Sequence, residues 1–269
     1  MRLVSISDPE DSRLADYRIV SDGELIKRRG LFVAEGRLVV QRLIEDQRAV
    51  VRSLLLSEVA AQSLAHALVQ LPAGTPVYVC ERSAFPAITG FNVHRGCMAL
   101  AERLPDVGLD SLAASRAIVV LENVGNADNL GGVFRNAAAF GAGGVVLSPA
   151  CCDPLYRKAI RTSMGATLRV PFARAEAWPA ALERLRDHGL TIVALTPREP
   201  ALSLAEFARS SSGARIALLV GAEGEGLSAQ AETIADRRVR IPIQADVDSL
   251  NLAVATGIAL ARLSEGAGL

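Results

Sequence analysis

From Ala117 to Ile243 the chain repeats one pattern: a strand-length run of apolar and β-branched residues, a turn of glycine or polar residues, then apolar residues at helical spacing. Strands that are apolar on both faces need cover on both faces, which a parallel sheet with crossover helices supplies. The runs predict strands at 117–121, 144–147, 168–170, 191–195, 216–220 and 239–243, with helices at 130–140, 155–162, 177–188, 228–235 and 250–263. Ligands of open parallel sheets sit beyond the carboxyl ends of the strands. The loops after these strands are therefore where chemistry is to be sought.

A weaker alternation precedes this one. Residues 32–46 read as a short strand running into an amphipathic helix, followed by strands at 50–56, 77–80 and 97–102 and helices at 58–69 and 83–87. Together they predict a small α/β domain over residues 1–104. The stretch from Arg103 to Ala114 carries Pro105 and Gly108 and holds no sustained period. A linker is expected at 105–114, then a second domain at 115–269.

Half of the 269 residues are hydrophobic and 22% are charged, enough to bury a full core, which excludes long disorder and fibrous repeats. No run approaches the roughly 18 to 20 apolar residues of a membrane span, and the first residues lack the apolar stretch of a signal peptide. The protein is expected to be cytosolic. Cys80, Cys97, Cys151 and Cys152 form no CxxC pair and read as reduced thiols packed in a core. His66, His94 and His188 are scattered, so no transition-metal site is expected. With 29 basic and 29 acidic side chains, blanket attraction to phosphates is not the source of any nucleic-acid affinity. Contact with RNA or DNA would fall to local clusters: Lys27 to Arg29; Arg157, Lys158 and Arg161; Arg237, Arg238 and Arg240.

Three loops of the second domain combine glycine with polar residues that a packed core does not need. In the first, residues 121–142, Asn129, Gly131 and Gly132 stand at a strand-to-helix turn, with Arg135 six residues past Asn129. Backbone amides and a guanidinium there suit a phosphate or developing negative charge. Equally, Asn129 would cap a helix and Arg135 would be solvated. The glycine spacing matches neither GxGxxG nor GxxxxGK[ST]. In the second, residues 218–228, an apolar strand runs into glycines interleaved with Glu223 and Glu225. Carboxylates repel phosphate, so this loop wraps a neutral or cationic ligand or is simply a turn before a helix. In the third, residues 241–263, Asp248, Ser249 and Asn251 cluster at the entrance to an apolar helix, with Asp248 or Ser249 as candidate cap. Capping accounts for one polar residue there, not for three.

In this order and at these intervals the three segments resemble the SpoU family of RNA ribose 2'-O-methyltransferases. The family's Asn-x-Gly-x-x-x-Arg is matched by Asn129, Gly131 and Arg135, and its Gly-x-Glu-Gly-x-Gly by Gly221, Glu223, Gly224 and Gly226. Its Ile-Pro followed by Ser-Leu-Asn is matched by Ile241, Pro242, Ser249, Leu250 and Asn251, and a Ser-x-Gly-Ala stretch by Ser163 to Ala166. Ala127 departs where proline is common, and Ala222 where asparagine is frequent. Phe32 to Gly36 fits the Phe-x-x-Glu-Gly signature of the family's L30-like substrate-binding extension.

The resemblance implies an α/β catalytic domain knotted as a deep trefoil, against the general rule that chains do not thread loops, and a homodimer. It implies S-adenosylmethionine as cofactor, contacted by Leu195, Gly221, Ala222, Ile241 and Leu250, and RNA as substrate, ribosomal rather than transfer RNA by the two-domain layout. Asn129, Arg135, Glu223, Ser249 and Asn251 would surround the reaction. Because arginine holds its proton strongly, Arg135 is expected to act first as a fixed cation that binds a nucleotide phosphate and stabilises developing alkoxide. A base role requires a phosphate to relay the proton. RNA contact is expected from the first domain and from Arg157, Lys158 and Arg161. Two other readings stand beside this one: a nucleotide-binding Rossmann enzyme, which lacks its fingerprint glycines here, and an RNA-binding protein of the same fold without catalysis.

Overall fold

The computed structural model describes residues 1–18, 22–90, 93–244 and 246–265. Its contacts separate into two units: Met1–Pro105 with Asp153–Leu168, and Asp106–Cys152 with Arg169–Leu269.

In the first unit, strands β1 (Arg2–Ser5), β2 (Leu31–Glu35), β3 (Val51–Ser57), β4 (Pro76–Cys80) and β5 (Cys97–Glu102) form one sheet in the order β1-β4-β3-β5-β2. Strand β5 runs antiparallel to both neighbours, and the other pairs are parallel. Alternation along the strands serves two cores. Phe32, Ala34, Leu54 and Leu56 face one, while Val33 and Leu55 face the other.

Residues 153–168 belong to this unit, whereas the sequence placed them in the second domain with 155–162 as a crossover helix of its sheet. The helix there is Arg157–Thr162. Leu155, Ile160 and Leu168 bury themselves with Phe32, Val40 and Leu43. Polar ties reinforce the packing: Arg157 Nε to Asp22 Oδ1 at 2.6 Å, Arg103 Nη1 to Asp153 Oδ2 at 2.6 Å, and Arg42 Nη1 to the Met164 carbonyl at 2.7 Å. Helical periodicity states that a face must be buried and not against what.

In the second unit, β6 (Ala117–Glu122), β7 (Val145–Leu147), β8 (Phe172–Arg174), β9 (Thr191–Leu195), β10 (Leu202–Ser203), β11 (Ile216–Gly221) and β12 (Arg237–Arg240) form a seven-stranded sheet. Its order is β10-β12-β9-β11-β6-β7-β8, and every pair is parallel. The parallel α/β class is therefore as the apolar runs require. Ile118, Val120, Val146, Ile192, Ala217 and Leu219 fill one face under the helix Ala180–Asp187.

Several boundaries differ from expectation for local reasons. The strand expected at 168–170 lies instead at β8, because Leu168 is drawn into the first unit's core and Pro171 follows. Strand β12 ends before Pro242, which has no N–H for the ladder. The expected linker contains a helix, Leu109–Ala113, whose Leu112 and Ala113 are buried. Strand β1 and the helices Asp22–Arg29 and Leu204–Ser210 are additional to the elements expected from the sequence. Among the described residues, no helix is long and apolar enough to cross a membrane.

Candidate active site

At the carboxyl end of β6 the chain turns into the helix Ala127–Ala139. Its cap is Asn126, whose Oδ1 accepts from Asp128 N at 2.9 Å. Asn129 is thereby relieved of the capping role the sequence allowed it, and it is buried. The last helix, Leu252–Glu265, is capped by Asn251 rather than by Asp248 or Ser249: Asn251 Oδ1 accepts from Ala253 N at 3.0 Å and from Val254 N at 3.2 Å.

That cap fixes which end of the Asn251 amide is which. With Oδ1 turned to the helix, Nδ2 faces the other way and donates to Asn129 Oδ1 at 2.8 Å and to Glu223 Oε1 at 2.8 Å. Both of its hydrogens are used. Three segments, far apart in sequence, thus meet at one nitrogen. The same logic turns the Asn129 amide so that its Nδ2 points away from Asn251, and Glu223 keeps Oε2 beyond the oxygen it shares.

Glycine makes the convergence possible at two places. A Cβ on Gly132 would stand 2.6 Å from Ala253 Cβ, so only glycine lets the helix Ala127–Ala139 approach the last helix this closely. Asn136, one turn on, donates to the Ala253 carbonyl at 2.6 Å and fits beside Gly257. Gly221 ends β11 against its own loop, where a Cβ would overlap the Gly226 carbonyl and the Leu227 amide. Gly226 N closes that loop on the Ala222 carbonyl at 2.9 Å. Gly224 and Gly226 take φ values of +83° and +72°, which L side chains rarely adopt.

The loop borders a cleft of about 650 Å³ at the carboxyl ends of β9, β11 and β12. Leu195, Gly221, Ala222, Ile241 and Leu250, the residues expected at a cofactor, all line it, together with Glu223, Ser249 and Asn251. Val220, Leu252 and Ala255 extend the apolar wall, and Arg198, Glu225 and Asp248 bring charge.

Arg135 is exposed on its helix and is not among the residues lining the cleft. On helical geometry it sits about 60° round from Gly132, flanking the face that carries Asn129, Gly132 and Asn136. The basic clusters are largely committed within the fold. Arg157 pairs with Asp22, Arg28 with Glu24, Arg29 with Asp16, Arg238 with Glu232 and Arg240 with Glu199. Lys158 and Arg161 are exposed.

Glu122 is a further residue of the site, one that its sequence context does not single out. It ends β6, is 1% exposed, and accepts Trp178 Nε1 at 2.6 Å and Ser228 Oγ at 2.7 Å on Oε1 and Ser228 N at 2.8 Å on Oε2. A buried carboxylate met by three donors is a clamp. It holds the far end of the glycine loop to the neighbouring strand. The signal available was an acid closing an otherwise apolar strand, which reads equally as the first residue of a loop.

Residues 116–261 match the model of the SpoU rRNA Methylase family. Over 259 residues, covering 94% of this chain and 89% of the relative, the sequence is 40% identical to an uncharacterized tRNA/rRNA methyltransferase of Mycobacterium bovis. The fold is similar to that of an AdoMet-bound rRNA methyltransferase from Sinorhizobium meliloti, with a TM-score of 0.80, 24% identity and 98% of each chain covered. It is also similar to the SpoU methyltransferase AviRb from Streptomyces viridochromogenes in complex with AdoMet, with a TM-score of 0.79, 21% identity, and 95% of this chain and 98% of that one covered. Family model, relative and fold agree with the converging segments: the chain is a member of the SpoU methylase family.

Proposed function

We propose that the chain transfers the methyl group of S-adenosylmethionine to a ribose 2'-hydroxyl of RNA, with ribosomal RNA as the substrate. The observation that carries this reading is the Asn251 amide joined to both Asn129 and Glu223 beside the glycine-bordered cleft. The cleft suits the cofactor. Leu195, Val220, Ile241 and Leu250 offer apolar wall for an adenine, the Gly221 turn lets backbone groups approach, and Glu223, Glu225 and Asp248 favour a cationic ligand. The cofactor supplies an activated methyl on a sulfonium, so the chain need not create a leaving group.

The chain's own task is to align the acceptor oxygen and to stabilise the charge that gathers on it. Asn129 Nδ2, turned away from Asn251, donates to the ribose oxygen. Glu223, oriented through Oε1, presents Oε2 to the hydroxyl proton. Ser249, exposed at the cleft edge, adds a hydroxyl beside them. Arg135 binds the nucleotide phosphate as a fixed cation. The first unit, read as L30-like, recognises RNA, with exposed Lys158 and Arg161 among its contacts and Arg157 holding their helix through Asp22. The C-terminal path is read as the family's trefoil knot, the assembly as a homodimer, and the location as cytoplasmic.

The test is methyl incorporation from labelled S-adenosylmethionine into separated ribosomal and transfer RNA. Label in the ribosomal fraction supports the proposal. Label confined to transfer RNA moves the substrate, and label in neither removes the catalytic reading. Calorimetry showing NAD bound in preference to S-adenosylmethionine would favour a dinucleotide enzyme.

A further inference from the structure

The cleft holds one cation among its lining residues, Arg198, against three acids, Glu223, Glu225 and Asp248. Arg198 is not a loose surface side chain. Its Nη1 donates to the Leu227 carbonyl at 3.3 Å and meets Glu232 Oε1 at 3.4 Å, and its Nη2 donates to the Glu225 carbonyl at 3.0 Å. Glu232 is 6% exposed and also pairs with Arg238 at 3.5 Å. Two guanidiniums thus share one buried carboxylate, which leaves a net positive charge beside the cleft. The Arg198 side chain is 52% exposed, and among the described residues its Nε–H and one Nη2 hydrogen meet no acceptor. It is held by the fold and keeps donors for a ligand.

We propose that Arg198 binds the carboxylate at the amino-acid end of S-adenosylmethionine, an assignment that rests on the cofactor reading above. The cofactor carries two positive groups, the sulfonium and the ammonium, and one negative group. With Glu223 turned to the acceptor hydroxyl, Glu225, Asp248 and Arg198 carry the complement. A planar guanidinium with donors already oriented is the side chain best suited to a carboxylate. An RNA phosphodiester is the other anion in reach of such a group, but it has no cationic part to satisfy the three acids and would be repelled by them.

Decarboxylated S-adenosylmethionine isolates the interaction, because it keeps adenosine, sulfonium and amine and lacks only the carboxylate. Calorimetric titration of the whole chain, wild type, R198Q and R198K, with each ligand and with ribosomal RNA is the test. Wild type is expected to bind S-adenosylmethionine about tenfold or more tighter than the decarboxylated form. In R198Q that preference disappears through weaker binding of the intact cofactor alone, and R198K retains part of it. Equal affinity of wild type for the two ligands overturns the assignment without needing any variant. So does an equal loss of both in R198Q, which would mean that Arg198 acts only by shaping the loop. Unchanged cofactor affinity with weakened RNA binding assigns Arg198 to phosphate instead. Failure of wild type to bind either ligand removes the cofactor reading itself.

Discussion

At the scale of single residues the site turns on one side-chain amide with two jobs. Asn251 caps a helix with its oxygen and ties Asn129 to Glu223 with its nitrogen. Replacement by aspartate separates the jobs, since a carboxylate still caps and is favoured at a helix N-terminus, whereas both donors are lost and a charge is set against Glu223. N251D is expected to keep its thermal midpoint near wild type while methyl transfer falls about 100-fold. A fall in stability that accounts for the lost activity would reduce Asn251 to a structural cap. Burial pushes the Cys97 thiol up to about 12 and the Cys80 thiol up to about 11. Both hold their protons at pH 8, where the reactive thiolate is scarce. Iodoacetamide at that pH is expected to spare Cys80 and Cys97 in the native protein and to modify both in denaturant, as mass spectrometry of tryptic peptides would read. The amides and Glu223 were legible in the sequence because polar residues in glycine turns after apolar strands lack a core purpose. Glu122 was not, because an acid at a strand end looks the same whether it clamps a loop or faces water.

At the scale of elements, two close approaches hold the converging segments together. The helix Ala127–Ala139 meets the last helix through Gly132 against Ala253 and Asn136 beside Gly257. G132A is expected to cost about 1–3 kcal/mol of stability, read from the midpoint of urea unfolding, and A253G should recover part of that loss by removing the atom the new methyl meets. No coupling between the two changes would contradict the contact. The Gly221 turn is less forgiving, since its neighbours are backbone. G221A is expected to lower affinity for S-adenosylmethionine about tenfold or more, measured by calorimetry, with the circular dichroism of the folded chain retained. The strands β9 and β11 were read from their apolar runs to within a residue, because burial on both faces leaves little else for such runs to do. Short elements such as β10 were not, since two residues carry no period.

At the scale of the whole molecule, the parallel sheet of the second unit was legible and the membership of residues 153–168 was not. The pattern there is helical in either unit, and only packing with Phe32, Val40 and Leu43 decides it. The last helix carries Val254 at 51% and Ile258 at 40% exposure, one turn apart on the same face. Apolar residues left in the open in this way fit the proposed homodimer. I258E is expected to shift the chain toward monomer in sedimentation velocity, whereas an unchanged distribution would place any dimer contact elsewhere. Convergence of Asn129, Glu223 and Asn251 to deliver a methyl group to a sugar oxygen is tested by identifying the product. RNA methylated by the chain would be digested to nucleosides and resolved by mass spectrometry. The expected products are 2'-O-methylated nucleosides that are lost when Asn129 is replaced by alanine; methyl groups on the bases, or none at all, would rule out delivery to the ribose.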